Sequence, residues 1–239
     1  MQAERGGADR IELNSALFLG GLTPSIGALE AVKAQVKIPV MCMVRPREGG
    51  FCYTAFDYDT VCRDALALVR AGADGIVFGF LNDDGTVDAA RCADFLGRVR
   101  AENPEIETVF HRAIDVVPDV FAALDTLTAL GVTRVLTSGQ RASAPQGAET
   151  IRKMLAHAAG RIDILPGGGI NAGNVRGFIA ETGVKSVHAS ARSLRRDTSV
   201  CGNPEIFFGG KIDGRGVPED EYKVTDSALV GAVVRAIEG

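Results

Sequence analysis

The sequence predicts an α/β fold, a (β/α)8 TIM barrel made by a single domain over residues 1–239. Three observations predict it. Short β-type runs alternate with longer helical patterns from end to end. Several runs are apolar on both parities, as in Val-Met-Cys-Met-Val at 40–44. A glycine-marked helix end recurs before every second strand. Alternation of this length means a parallel sheet with helical crossovers. Apolar residues on both parities mean strands covered on both faces.

The strand candidates are Arg10–Asn14, Ile38–Arg45, Gly75–Phe80, Thr108–Ala113, Arg134–Gly139, Ile162–Gly167 and Ser186–Ala191. Helical patterns between them include Asp57–Arg70, Ala89–Ala101, Val120–Leu130 and Asn174–Glu181. Glycines at Gly7, Gly72, Gly131 and Gly183 precede alternate strands, where a left-handed residue ends a helix. The unit is therefore a pair of βα modules repeated four times, with the first copy half present. A first strand is expected to be missing from the given sequence, and roughly 10–15 upstream residues would supply it with its loop. An open doubly wound sheet is the rival architecture. A long polar stretch at about 193–221 reads as a loop, and a final helix starts near Thr225-Asp226, whose side chains suit an N-cap.

Bulk properties narrow the function. With 46% hydrophobic residues there is ample material for a core, and a net charge of −4 argues against a nucleic-acid or anionic-membrane partner. No apolar run is long enough for a membrane span. Five cysteines without zinc-type spacing read as reduced thiols, which places the protein in the cytoplasm.

In a barrel the C-terminal strand ends carry the site. Here they hold Glu12 and Asn14; Arg45 and Arg47; His111, Arg112 and Asp115; Ser138; Gly167, Gly168 and Gly169; and His188, Ser190 and Arg192. Ionisable groups on strands buried on both faces cost several kcal/mol unless paired, so their recurrence marks a ligand site. The bland alternatives are structural pairing of Glu12 with an arginine, pairing of Arg112 with Asp115, and satisfied rim histidines. Glycines after the seventh barrel strand let backbone N–H groups approach an anion, and the following helix adds its positive end. Arg45, Arg47, Arg112, Ser138, Ser190 and Arg192 are the further anion-binding candidates. His111, with Asp115 or Glu12 assisting, and His188 are the acid/base candidates, since histidine is tunable near neutral pH. No lysine stands at a strand end for Schiff-base chemistry, and neither a nucleophile elbow nor a dinucleotide fingerprint is present.

Gly7-Ala-Asp-Arg-Ile-Glu-Leu, Gly20-Gly-Leu-Thr-Pro-Ser, Val44-Arg-Pro-Arg, Phe110-His-Arg-Ala-Ile-Asp, Arg134-Val-Leu-Thr-Ser-Gly, Pro166-Gly-Gly-Gly and His188-Ala-Ser-Ala together resemble the CutC family, named for copper homeostasis. The resemblance implies a (β/α)8 barrel with a first strand ahead of this chain's start. It also implies a cytoplasmic setting, a homo-oligomer (dimer or tetramer) and an association with copper, as Cu(I). Many members have a cysteine, a proposed copper ligand, where Asn14 stands here. Cys42 is the nearest soft residue on the next strand and the metal candidate, for Cu(I) prefers thiolate and thioether. Met41, Cys42 and Met43 alternate between faces, so they cannot all meet one ion. The family points to copper, whereas the arginine-rich rim points to an anion. The alternative function is an enzyme or sensor for a small phosphorylated or carboxylated metabolite, with acid/base chemistry of isomerase or lyase type.

Overall fold

The computed structural model describes residues 1–203, 205–206, 211–212, 215–216 and 219–239. Six parallel strands stand side by side in chain order: β1 (Ile11–Leu13), β2 (Val40–Met43), β3 (Gly75–Phe78), β4 (Glu107–Phe110), β5 (Arg134–Thr137) and β6 (Asp163–Pro166). Between them run α2 (Ile26–Lys33), α3 (Ala55–Arg70), α4 (Ala89–Glu102), α5 (Val120–Ala129) and α6 (Ala148–Ala158), preceded by the short α1 (Gln2–Arg5) and followed by α7 (Val175–Thr182). The architecture is a curled, (β/α)8-like sheet with alternating helices.

Alternation along each strand creates two cores. Met41, Met43, Val77, Val109, Leu136 and Leu165 form an apolar cluster inside the curl. Their neighbours, among them Cys42, Ile76, Phe78, Phe110, Val135 and Ile164, join the larger core beneath the helices. The four helix-end glycines all have positive φ, from 70° at Gly131 to 93° at Gly72, as a left-handed helix stop requires. Thr54 begins α3 with a capping box, accepting from the Asp57 amide at 3.0 Å while the Asp57 carboxylate accepts from the Thr54 amide at 3.1 Å.

The seventh expected strand, Ser186–Ala191, is reduced to one parallel bridge between Gly167 and His188. Among the described residues no strand stands between this segment and β1, so only one of its edges is paired. Ala191 then turns with φ 38° into β7 (Arg192–Arg196), which pairs antiparallel with β10 (Glu221–Thr225). Both ends of the stretch expected to be a loop are thus a two-stranded ribbon. Part of its interior lies outside the described residues; β8 (Lys211–Ile212) and β9 (Arg215–Gly216) pair within it. The last helix, α8 (Ser227–Glu238), is capped by Asp226, which accepts from Ala228 and Leu229 amides. It packs against both α7 and α1. A Cβ at Gly6 would lie 2.5 Å from Val230 Cβ, so glycine permits that contact. The helical layer therefore closes where the strand layer does not.

At the strand N-terminal ends, Arg10 pairs with Glu107 at 2.6 Å and Arg134 bridges Glu107 at 3.0 Å and Asp163 at 3.2 Å. These ion pairs lie at the end of the barrel opposite the mouth.

Candidate functional site

The mouth is built by the loops that leave β1 to β6. Arg45 directly follows Val44 at the end of β2 and is only 6% exposed. Its terminal nitrogens donate to backbone carbonyls of Leu19 at 2.8 Å, Gly21 at 3.3 Å and Gly49 at 2.6 Å. Arg47 donates to Asp57 at 3.1 Å and to the Cys52 carbonyl at 3.0 Å, and lies over the Tyr53 ring. The terminal nitrogens of both arginines hold loops, which leaves Arg45 Nε as a buried donor without a partner among the described residues.

Asp115 lies in the 3-10 turn Arg112–Val116 after β4. One of its carboxylate oxygens accepts from the Thr137 hydroxyl and the Gln140 amide, and the other from Arg112 Nε at 2.7 Å and the Ser138 hydroxyl at 2.9 Å. The Ser138 amide donates to both. It organises the loop after β5 and has no described bond to His111. Arg112 also donates to the Ser138 hydroxyl. A Cβ built on Gly168, whose φ is 94°, would stand 3.5 Å from Arg112 Nη1, so one arm of this guanidinium faces the glycine turn.

His111 is 3% exposed. It lies against Gly79, where a Cβ would sit 2.4 Å from the imidazole, and its ring centroid is 4.8 Å from that of Phe51. Its Nδ1 accepts from the Ala113 amide at 3.2 Å, while Nε2 has no partner among the described residues. Burial, followed by the nearby Arg45 charge, pushes its pKa down from 6.5 to about 3. The site thus holds the His111 ring in its neutral form at neutral pH.

Glu12 and His188 come together across the unpaired edge, with Glu12 Oε2 3.9 Å from His188 Nδ1 and Asn14 donating to Glu12 at 3.3 Å. Ser190 is exposed, and Arg192 starts β7 with no ion pair among the described residues. Cys42 faces the helical core, and burial raises its thiol pKa to about 12. Among the described residues no group of three or more His, Cys, Asp or Glu side chains converges as a metal site. No helix among them is long and apolar enough to cross a membrane.

Phe51 and Tyr53 were not legible as site residues. The available signal was the paired glycines Gly49-Gly50, which mark a loop, followed by aromatics two apart.

A model of the CutC family matches residues 1–193. The chain is 48% identical to a CutC family protein of Treponema denticola, over 98% of this chain and 93% of the relative. It is 42% identical to a copper homeostasis protein cutC homolog of Homo sapiens, over 96% of this chain and 82% of that protein. Among solved structures it is similar to the CutC protein of Streptococcus agalactiae, at 32% identity and TM-score 0.72, covering 76% of this chain and 88% of that one. An N-(5'-phosphoribosyl)anthranilate isomerase from Pyrococcus furiosus, at 16% identity and TM-score 0.55 over 99% of this chain and 92% of that one, shares the fold alone.

Proposed function

This chain belongs to the CutC family, and we propose that it serves copper homeostasis, the role carried in the names of its human and mouse relatives. The observation that carries this reading is the family match over residues 1–193. Copper would be cargo. The described residues do not fit a preformed Cu(I) thiolate centre within one chain, because Cys42 points into the helical core and its thiol is held protonated. Cells lacking the protein are expected to tolerate raised copper less well, and the wild-type gene to restore growth; equal tolerance would overturn the reading. Cys42→Ala is expected to leave Cu(I) stoichiometry unchanged in a competition titration with a chromogenic chelator. A cytoplasmic homo-oligomer belongs to the same proposal. Exposed Phe18 and Phe56 supply apolar surface that such an assembly would bury.

A second reading is favoured by a separate observation. Arg112 Nη1 stands beside Gly168, Gly168 and Gly169 have φ of 94° and 80°, and the N-terminus of α7 follows. This turn suits a small phosphorylated or carboxylated molecule, with Ser190 and Arg192 within reach along the chain. Thermal shift with inorganic phosphate, sugar phosphates and organic acids tests it. A raised midpoint that Arg192→Ala reduces supports the anion site, and a flat panel removes it.

A further inference from the structure

Two buried nitrogen donors in the mouth have no acceptor among the described residues: His111 Nε2 and Arg45 Nε. The Ala113 amide donates to His111 Nδ1, so the single proton of the neutral ring sits on Nε2. The ring is kept neutral by burial and by the Arg45 charge. Nε2–H is therefore a fixed donor at physiological pH. Arg45 supplies one positive charge, and its terminal nitrogens are already committed to the Leu19, Gly21 and Gly49 carbonyls. Burial pushes the pKa of the Tyr53 hydroxyl up, only partly opposed by the neighbouring Arg45, so the hydroxyl stays protonated beside the guanidinium.

One side chain touches both donors' groups. The Phe51 ring is 4.8 Å from the His111 ring and 5.2 Å from the Arg45 guanidinium carbon. Phe51 also lines an open cleft of about 470 Å³ together with Cys52, Asp83 and Val116. The loop that carries it has Gly49 at φ 85° followed by Gly50. Leaving buried donors unpaired costs stability. A fold that keeps them behind one hinged aromatic is arranged for an acceptor that arrives when the ring leaves.

We propose that the space held by the Phe51 ring is a carboxylate-binding site, closed in this state, with His111 Nε2–H and Arg45 Nε–H as its donors and Phe51 as its gate. A monoanionic carboxylate matches the single positive charge and offers acceptor oxygens to both donors. A phosphate dianion would need more donors than Arg45 has left. The histidine acts as a neutral hydrogen-bond donor toward oxygen, the role a desolvated imidazole takes when it polarises a carbonyl. The site depends neither on copper nor on the Gly167–Gly169 turn.

The test uses full-length protein in the presence of a copper chelator, labelled with 15N-histidine, with pyruvate as the probe and its methyl ester as the uncharged control. The expected spectrum shows His111 as the neutral Nε2–H tautomer, and pyruvate, but not the ester, shifts its Nε2 signal. Phe51→Ala is expected to tighten pyruvate binding by about tenfold, because no ring must be displaced. In that background His111→Leu should abolish the gain, and His111→Gln, which retains a donor, should restore part of it. A Nδ1–H tautomer, or a folded Phe51→Ala protein that pyruvate never perturbs, would overturn the proposal and leave a pocket for water. Binding that His111→Leu leaves unchanged would place the carboxylate elsewhere and overturn it equally.

Discussion

The mouth has two halves made from similar residues, and they differ in whether their polar groups are spent. Around Asp115 the loops after β4 and β5 close on themselves, with Arg112, Thr137, Ser138 and Gln140 all donating to one carboxylate. Around His111 the loops after β2 and β4 bury donors that have no acceptor among the described residues. Arginine, histidine and aspartate at strand ends look equally functional in sequence. The side that carries rigidity has satisfied its hydrogen bonds, and the side that waits for a ligand has not.

The largest effect that would break this comparison is expected at Asp115. Asp115→Ala strips the acceptor from five donors, Arg112 Nε, Thr137 Oγ1, Ser138 N, Ser138 Oγ and Gln140 N. The cost is expected to be about 3–5 kcal/mol, read from the urea midpoint. A loss below about 1 kcal/mol would mean that this half is not locked.

Next comes acid sensitivity at His111. Its folded pKa of about 3 lies below the ordinary 6.5, so the unfolded chain takes up the proton first. The stability is complete above about 6.5 and is lost progressively as pH falls toward about 3. Between pH 6.5 and 5 this group is expected to cost about 2 kcal/mol. His111→Leu should flatten that part of the stability–pH curve; an unchanged slope would show that the ring ionises in the folded state.

The smallest effect is expected at Arg192. With no described ion pair, Arg192→Ala should change stability by less than about 0.5 kcal/mol. The substitution then separates ligand binding from folding, since any thermal shift by phosphate that it removes is owed to the ligand alone.

Much of the scaffold was legible because it follows from local rules. Val40 to Val44 alternates between the inner cluster and the helical core, and each expected helix from α3 onward lies within a few residues of its place. The Ser186–Ala191 segment was misjudged in extent: it keeps one bridge, from His188 to Gly167, and its residue types do not announce how far that pairing runs. In the site, the types and strand-end positions were legible but the pairings were not. Arg45 finds its partners at Leu19, Gly21 and Gly49, backbone carbonyls that no side-chain pattern announces.

By itself the sequence determined the alternating elements, the left-handed glycines and the concentration of polar groups at one end of the strands, because periodicity and backbone sterics act over a few residues. Only the tertiary structure decided which groups are spent. Whether a buried donor finds an acceptor depends on loops brought together from distant parts of the chain. That is why Asp115 became a structural anchor, Cys42 turned to the core, and His111 was left neutral with Nε2 unpaired among the described residues.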